Sequence, residues 1–449
     1  MTPAFWQSDL DATLTAASRV ASHRSASSHV RAWLSAYDES AAVSSNAGAL
    51  QLPFQRWLKF KEAFSPKFVV DALASLDRKP RSCLDPFGGC GTTALTCSLL
   101  GVRAITMEVN PFLADLIEAK VTRVNALAVV DAYSDVLRTV ARRRRKSHAV
   151  LAAGPASLRE PGVRGRFVFS AEVFDRIVQI RSAIEEIRGR KVRRLLRVLL
   201  GSVLVEASNV VVNGKGRRYR GSWQRRRVDS FRVDELFADA VRLAVRDMAE
   251  FGGALRSGPH VLRGDSRVLL ASLEEKVDVA LFSPPYPNSF DYTDVYNLEL
   301  WMLGYLRSPL DNRRLRQATL RSHVQVQWNR GETEALDSRL LRATLAKLER
   351  ARESLWDPRL VEMVADYFED MRCVLRGLRR SVRRGGRVIA IVGDSCYADV
   401  RVDTVAILSE IASQEGYEVR ERTCIRSMRN SAQHGGRRQL SEDCLVLAV

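Results

Sequence analysis

The stretch LDPFGGCGTTA, residues 84–94, decides the fold. It continues the short run that begins at Arg81, puts Asp85 and Pro86 at a strand end, turns on Gly88, Gly89 and Gly91, and opens a helix at Thr92 and Thr93. Such a turn lets a ligand lie against the backbone at the carboxyl edge of a parallel sheet, where open α/β folds bind their ligands. No Gly-Lys-Ser/Thr follows, so the stretch is not a triphosphate loop, and it does not match GxGxxG. The next apolar run, AITMEV, ends in Glu108, 23 positions beyond Asp85. An acidic side chain so placed suits the hydroxyls of a ribose. Taken alone, the same residues also fit a plain glycine turn and a solvated Glu108.

Outward from this stretch, short apolar runs alternate with helical patterns: RSCLDPF, TTALTCSLL, AITMEV and PFLADLIEAK. Strand and helix in alternation predict βαβ units and a mostly parallel α/β sheet. Residues 127–258 break the pattern with long helical periodicity and almost no strand signal, and read as a helical insertion. Alternation resumes with HVLRGD, VDVALFSPP, GGRVIAIVGD, EVRERTC and DCLVLAV. The last two suit an antiparallel pair near the end of the chain. The expected division is a leader over 1–50, a first part of the catalytic domain over 51–126, the insertion over 127–258, and a second part over 259–449.

In VDVALFSPPY, residues 277–286, a buried strand runs into Ser283, Pro284, Pro285 and Tyr286. Two prolines cannot continue a strand; they make a stiff loop that has carbonyls and no donors. Beside one aromatic ring, that arrangement suits an exocyclic amine. The Ser283 hydroxyl and the Pro284 carbonyl can accept its two N–H bonds while Tyr286 stacks on the base. A simple proline turn between strand and helix is the plainer reading of the same residues.

Together the two motifs resemble those of the amino-methylating DNA methyltransferases, which use S-adenosylmethionine (SAM) to modify cytosine N4 or adenine N6. DPFGGCGTT is similar to their DPFxGxGTT cofactor loop, and SPPY to the serine form of their [DNS]PP[YFW] loop. RWLKFKEAFSPKFV (56–69), VLRGDSRVLL (261–270), SFDYTDVYNLELWMLG (289–304) and LSEDCLVLAV (440–449) also look familial. The resemblance covers about 51–120 and 259–449. It implies a Rossmann-like SAM-dependent methyltransferase sheet, mostly parallel with an antiparallel strand near the C-terminus. Phe64, Ser65 and Pro66 would line the methionine end of SAM. Asp85, Pro86, Phe87, Gly89, Gly91, Thr92 and Thr93 would form the cofactor loop, Glu108 would hold the ribose, and Asp265 would accept from the adenine amine. Ser283, Pro284, Pro285 and Tyr286 would be catalytic. The order of cofactor loop, long insertion and catalytic loop is similar to the family's alpha arrangement, with target recognition between the two motifs. The serine form leans toward cytosine N4; adenine N6 is the alternative.

Such chemistry is direct displacement by the amine, aided by alignment and hydrogen-bond polarisation, and needs no protein nucleophile. Cytosine-C5 chemistry needs a cysteine after a proline, and no proline here precedes one. A base within duplex DNA must first be flipped out. In SNVVVNGKGRRYRGSWQRRR, residues 208–227, a Gly-Lys-Gly turn carries Arg interleaved with aromatics. Asn213, Lys215, Arg217, Arg218, Tyr219, Arg220 and Trp223 are accordingly the candidate DNA-contacting residues. A solvated basic loop would read the same way.

The rest of the chain is compatible with that picture. Of 449 residues, 46% are hydrophobic and 27% charged, as in an ordinary globular protein. A net charge of +18 suits a polyanion such as double-stranded DNA, although 60 of the 70 basic residues are Arg, which a GC-rich genome would also produce. No apolar run is of membrane length, and MTPAFWQSDLDATLTAASRV lacks a signal-peptide pattern, so a cytoplasmic protein is expected. Seven cysteines without a CxxC pair and six histidines without ligand spacing give no reason to expect a metal. A cognate restriction endonuclease is a possible partner, and the oligomeric state is open. An RNA amino-methyltransferase and a non-catalytic DNA-binding regulator are the more distant alternatives. A nicotinamide oxidoreductase is disfavoured by the absence of GxGxxG.

Overall fold

A computed structural model describes residues 26–60, 62–142, 154–213, 216–256, 258, 260–326, 328, 336–429 and 439–449. Helix α1 (Ala26–Leu34) and α2 (Pro66–Ala74) precede the first alternating units. These are β1 (Ser82–Asp85), α3 (Thr92–Leu100), β2 (Arg103–Glu108) and α4 (Pro111–Val121). Four longer elements of the insertion follow: α5 (Ala126–Arg142), α6 (Ala171–Glu185), α7 (Arg190–Val203) and α8 (Ser230–Phe251). Between α7 and α8 lie β3 (Val210–Asn213) and β4 (Gly216–Tyr219). The chain then returns through β5 (His260–Arg263), α9 (Ser266–Ser272) and β6 (Val277–Phe282) to α10 (Tyr292–Val295), α11 (Asn297–Met302) and α12 (Pro309–Gln317). It finishes with α13 (Arg339–Arg350), α14 (Leu360–Ser381), β7 (Val382–Gly393), β8 (Ser395–Tyr397), β9 (Val400–Val402), α15 (Thr404–Gln414), β10 (Glu418–Arg429) and β11 (Gln439–Ala448).

Seven strands form one sheet in the order β10-β11-β7-β6-β1-β2-β5. Neighbours from β5 to β7 are parallel, and β11 runs antiparallel to both β7 and β10. The mostly parallel sheet and its reversed strand near the chain end are those expected from the sequence. Because side chains alternate across a strand, each strand feeds two cores. On β6, Val279 and Leu281 join the core under α3, α4 and the insertion, while Ala280 and Phe282 join that under α14 and α15. Ile389 and Ile391 of β7 join the first, and Val388, Ala390 and Val392 the second. No helix among the described residues is long and apolar enough to cross a membrane.

One feature departs from the sequence reading. The insertion contains a hairpin where almost no strand was expected: Val210 pairs with Tyr219, and Asn213 with Gly216. The two halves, VVVN and GRRY, are short and flank a Gly-containing connection, the usual hairpin chemistry, but Arg and Gly weaken the alternation that would reveal a strand. The described part of the leader, in turn, is packed into the main core. Trp33 is wholly buried and its indole N–H donates to the Pro53 carbonyl at 3.0 Å. Trp33, Phe112, Leu199 and Trp301 belong to one apolar cluster, so leader, sheet and insertion share a core.

Asp247 of α8 fastens the segment after the leader to the insertion. Its buried carboxylate accepts from the Phe54 N–H at 2.7 Å, the Trp57 indole at 2.8 Å and the Arg56 guanidinium. Burial raises its pKa, and the bonds from Arg56, Phe54 and Trp57 oppose that rise. These bonds hold Phe54 at φ +64, which a bulky residue seldom adopts. Asp247→Ala leaves three donors without their acceptor. It should destabilise the protein by about 3 kcal/mol in denaturant unfolding, and an unchanged midpoint would contradict this anchoring role.

Candidate active site

Strand order reverses at β1 and β6. From β1 the chain proceeds to β2 and β5 on one side, and from β6 to β7 on the other. Such a reversal opens a crevice at the carboxyl ends of the two central strands. Both sequence motifs leave the sheet there, the glycine turn from β1 and Ser-Pro-Pro-Tyr from β6. They line one cavity of about 480 Å³, a size within the usual range for small-molecule and cofactor sites.

The glycine turn is held against β2. Gly88 donates to the Met107 carbonyl at 2.8 Å, Gly89 to Glu108 Oε2 at 2.7 Å, and Phe87 to Asp85 Oδ1 at 2.9 Å. Gly88 has no room for a side chain, since a Cβ there would lie 2.3 Å from the Thr106 methyl. Gly91, at φ +81, caps α3 in the left-handed region that glycine tolerates. Glu108 Oε1 also accepts the Asn110 N–H at 2.7 Å. Burial pushes the Glu108 carboxyl up to about 7 and the Asp85 carboxyl up to about 6. Behind the loop, the buried Lys120 ammonium donates to the Cys90 carbonyl at 2.8 Å and to Gln55 at 3.0 Å, and desolvation lowers its pKa. Nothing in the sequence around Lys120 or Gln55 marked this support.

Phe64, Asp85, Pro86, Phe87, Gly89, Thr92, Glu108 and Asp265 all line the cavity. Ser65, Pro66, Gly91 and Thr93 do not; Ser65 instead caps α2 by accepting the Phe68 N–H, and Pro66 is the first residue of that helix. Asp265 is brought beside Glu108 because Gly264 donates to the Glu108 carbonyl at 3.0 Å. Both of its oxygens also meet the Arg267 guanidinium, which spans to Asp370 at 2.7 Å. Most of its acceptor capacity is therefore already used within the protein.

Ser283, Pro284, Pro285 and Tyr286 line the same cavity. The loop is braced by Tyr397, whose hydroxyl donates to the Pro287 carbonyl at 2.7 Å, and by the Asn288 N–H on the Tyr286 carbonyl. Among the described residues no donor is bonded to the Pro284 carbonyl. The Tyr286 hydroxyl donates to Glu442 at 2.7 Å and stands 3.3 Å from Ser283 Oγ; burial drives the phenol well above its ordinary range. Glu442 was not identified from sequence. Its available signal is register: on β11 it shares a face with Cys444 and Val446, which pack against the core that also takes Ile389 and Ile391 of β7, and a buried carboxylate there needs a partner.

The hairpin residues do not line the cavity. Lys215 lies outside the described residues, as does the Asn213 side chain. Arg217 reaches Asp294 of α10 at 3.8 Å, and Arg316 of α12 reaches the same carboxylate at 3.7 Å. Hairpin and cavity wall thus meet at Asp294. Arg220 and Arg226 both pair with Glu206, and Tyr219 packs on Trp223 with ring centres 5.1 Å apart, so these side chains help to build the hairpin's own support. Arg218 and Arg225 are exposed, as are Arg307, Arg313 and Arg314 around α12; Leu315 of that helix and Ala318, just after it, line the cavity. No group of three or more metal-ligating side chains is found among the described residues.

No family model matches the chain. It is nevertheless similar along most of its length to type II methyltransferases. M.AvaI of Nostoc sp. is 26% identical over 399 residues, covering 82% of this chain and 80% of the relative, and M.AvaI of Anabaena variabilis matches equally. M.BsoBI of Geobacillus stearothermophilus is 23% identical over 432 residues, covering 85% of this chain and 82% of the relative. A distant homology to type II methyltransferases therefore accompanies a cavity in which the glycine turn, Glu108 and the Ser-Pro-Pro-Tyr loop face one another.

Proposed function

We propose that the protein is a SAM-dependent DNA methyltransferase acting on the exocyclic N4 amine of cytosine in duplex DNA, as the modification component of a restriction-modification system. The observation that carries this reading is the single cavity shared by the two motifs at adjacent strand ends. The similarity to type II methyltransferases supports it across four-fifths of the chain.

SAM, when bound, would supply an electrophilic methyl group. The residues present fit it: Glu108 offers a buried carboxylate at the end of β2, Phe87 and Phe64 offer apolar walls, and the backbone at Gly89 admits close approach. Ser283 and the Pro284 carbonyl would accept from the target amine, and Tyr286 would stack on a base flipped into the cavity. Exposed Arg218, Arg225, Arg313 and Arg314 would contact phosphates, fixing position more than sequence. The serine before Pro-Pro favours cytosine N4 over adenine N6. Asp265, which lines the cavity next to Glu108 and pairs with Arg267, would accept from the adenine amine of SAM.

The direct test supplies labelled SAM and mixed-sequence unmethylated duplex, followed by digestion and mass spectrometry of the nucleosides. N4-methylcytosine is expected; N6-methyladenine would overturn the choice of base, and unlabelled DNA would overturn the reading. Tyr286→Ala should lower kcat/KM roughly 10- to 100-fold, the size of one lost base–aromatic stack. Wild-type kinetics would contradict the stacking role.

Glu108 gives a pH dependence of definite sign. Its folded-state carboxyl sits above the usual value, so its contribution to stability is fully present below that value and lost as pH rises through about 7. Ribose hydroxyls favour the ionised acceptor. SAM affinity in calorimetry should therefore strengthen between pH 6 and 8, by roughly tenfold, and Glu108→Gln should remove that increment. An identical pH profile in the variant would contradict the role given to Glu108.

A further inference from the structure

The Ser-Pro-Pro-Tyr loop is tied through Glu442, which lines the same cavity, to β11, two strands from β6 in the sheet. Tyr286 carries one hydroxyl proton, and its Oη lies 2.7 Å from Glu442 Oε1. A carboxylate can only accept, so that proton is committed to Glu442. Tyr286 Oη can then only accept from its other neighbour, Ser283 Oγ, at 3.3 Å. The Ser283 proton is thereby directed away from the space over the loop, and its lone pairs remain for a ligand. Glu442 is well placed to fix this direction. It is buried on β11, opposite Gly393 of β7, and its second oxygen is 3.1 Å from the Arg426 guanidinium.

We infer that Glu442 is a positioning residue that acts through Tyr286 to hold Ser283 as a hydrogen-bond acceptor toward the target amine. The inference rests on the amino-methyltransferase reading and adds to it a direction of hydrogen bonding. Direction matters because an amine must keep its lone pair free for attack. An acceptor at Ser283 polarises an N–H and raises electron density on nitrogen, whereas a donor at Ser283 would engage that lone pair and oppose reaction. With a glutamine at 442, the side-chain amide can donate to Tyr286, Tyr286 can turn its proton to Ser283, and the chain can run in the opposite sense.

Steady-state kinetics of E442Q, Y286F and the double variant, with SAM and unmethylated duplex, test this. E442Q should fold normally, keep the wild-type KM for SAM, and lose roughly 10- to 100-fold in kcat, the range of one hydrogen bond to a charged group. Y286F removes the link and should also lower kcat at unchanged KM for SAM, and adding E442Q to it should cost little more. If E442Q does not fold, Y286F alone decides, and wild-type kcat in that variant overturns the inference. Wild-type kcat in E442Q, a loss confined to KM for SAM, or a full E442Q penalty within Y286F would each overturn it as well. Absence of methyl transfer by the wild-type protein would instead sink the reading on which it rests.

Discussion

Strands β1 and β6 lie side by side, yet the chain leaves them toward opposite edges of the sheet. No connection can then cover the gap between their carboxyl ends, and that gap is where the two motifs stand. The constraint dictates local chemistry on each side. After β1 the backbone must turn tightly enough to bond β2 through Gly88 and Gly89, and the methyl of Thr106 leaves no space for a side chain at Gly88. After β6 two prolines stop the strand and present a rigid carbonyl edge. Each motif makes structural sense because the other occupies the opposite wall.

The cavity concentrates buried and half-buried carboxyl groups, each held by hydrogen bonds from the protein. Backbone N–H groups of the turn hold Asp85 and Glu108, a guanidinium holds Asp265, and a phenol and a guanidinium hold Glu442. Burial costs these groups solvation, which shows in the raised carboxyls of Asp85 and Glu108. Perturbed groups within a cleft are the usual mark of a functional site. The surrounding scaffold is extensive: the segment before β1, the insertion helices and the sheet share one apolar core, so the insertion's hairpin is held in a fixed relation to the cavity wall through Asp294.

Much of this was readable from the sequence, because period-two and helical patterns report burial on one face, and Gly and Pro report backbone geometry directly. The sheet, the reversed strand at the chain end, and the two loops facing one cavity follow from those signals. What escaped depends on contacts between residues far apart in sequence. Glu442 meets Tyr286 across 156 positions, and Lys120 supports Cys90 from a neighbouring helix. Neither pairing leaves a local pattern. The hairpin escaped because each strand is only four residues long and the second, GRRY, has no apolar alternation. The ion pairs of Arg217, Arg220 and Arg226 with Asp294 and Glu206 likewise join residues whose pairing no local pattern announces.

We propose that one cavity holds the methyl donor and the target base on opposite walls. A crystal structure with S-adenosylhomocysteine tests it most directly. The account predicts the ribose at Glu108, the adenosine between the glycine turn and the Gly264–Asp265 segment, and the sulfur turned toward Ser283 and Pro284. Electron density elsewhere on the protein, or a ligand whose sulfur faces away from the Ser-Pro-Pro-Tyr loop, would contradict it.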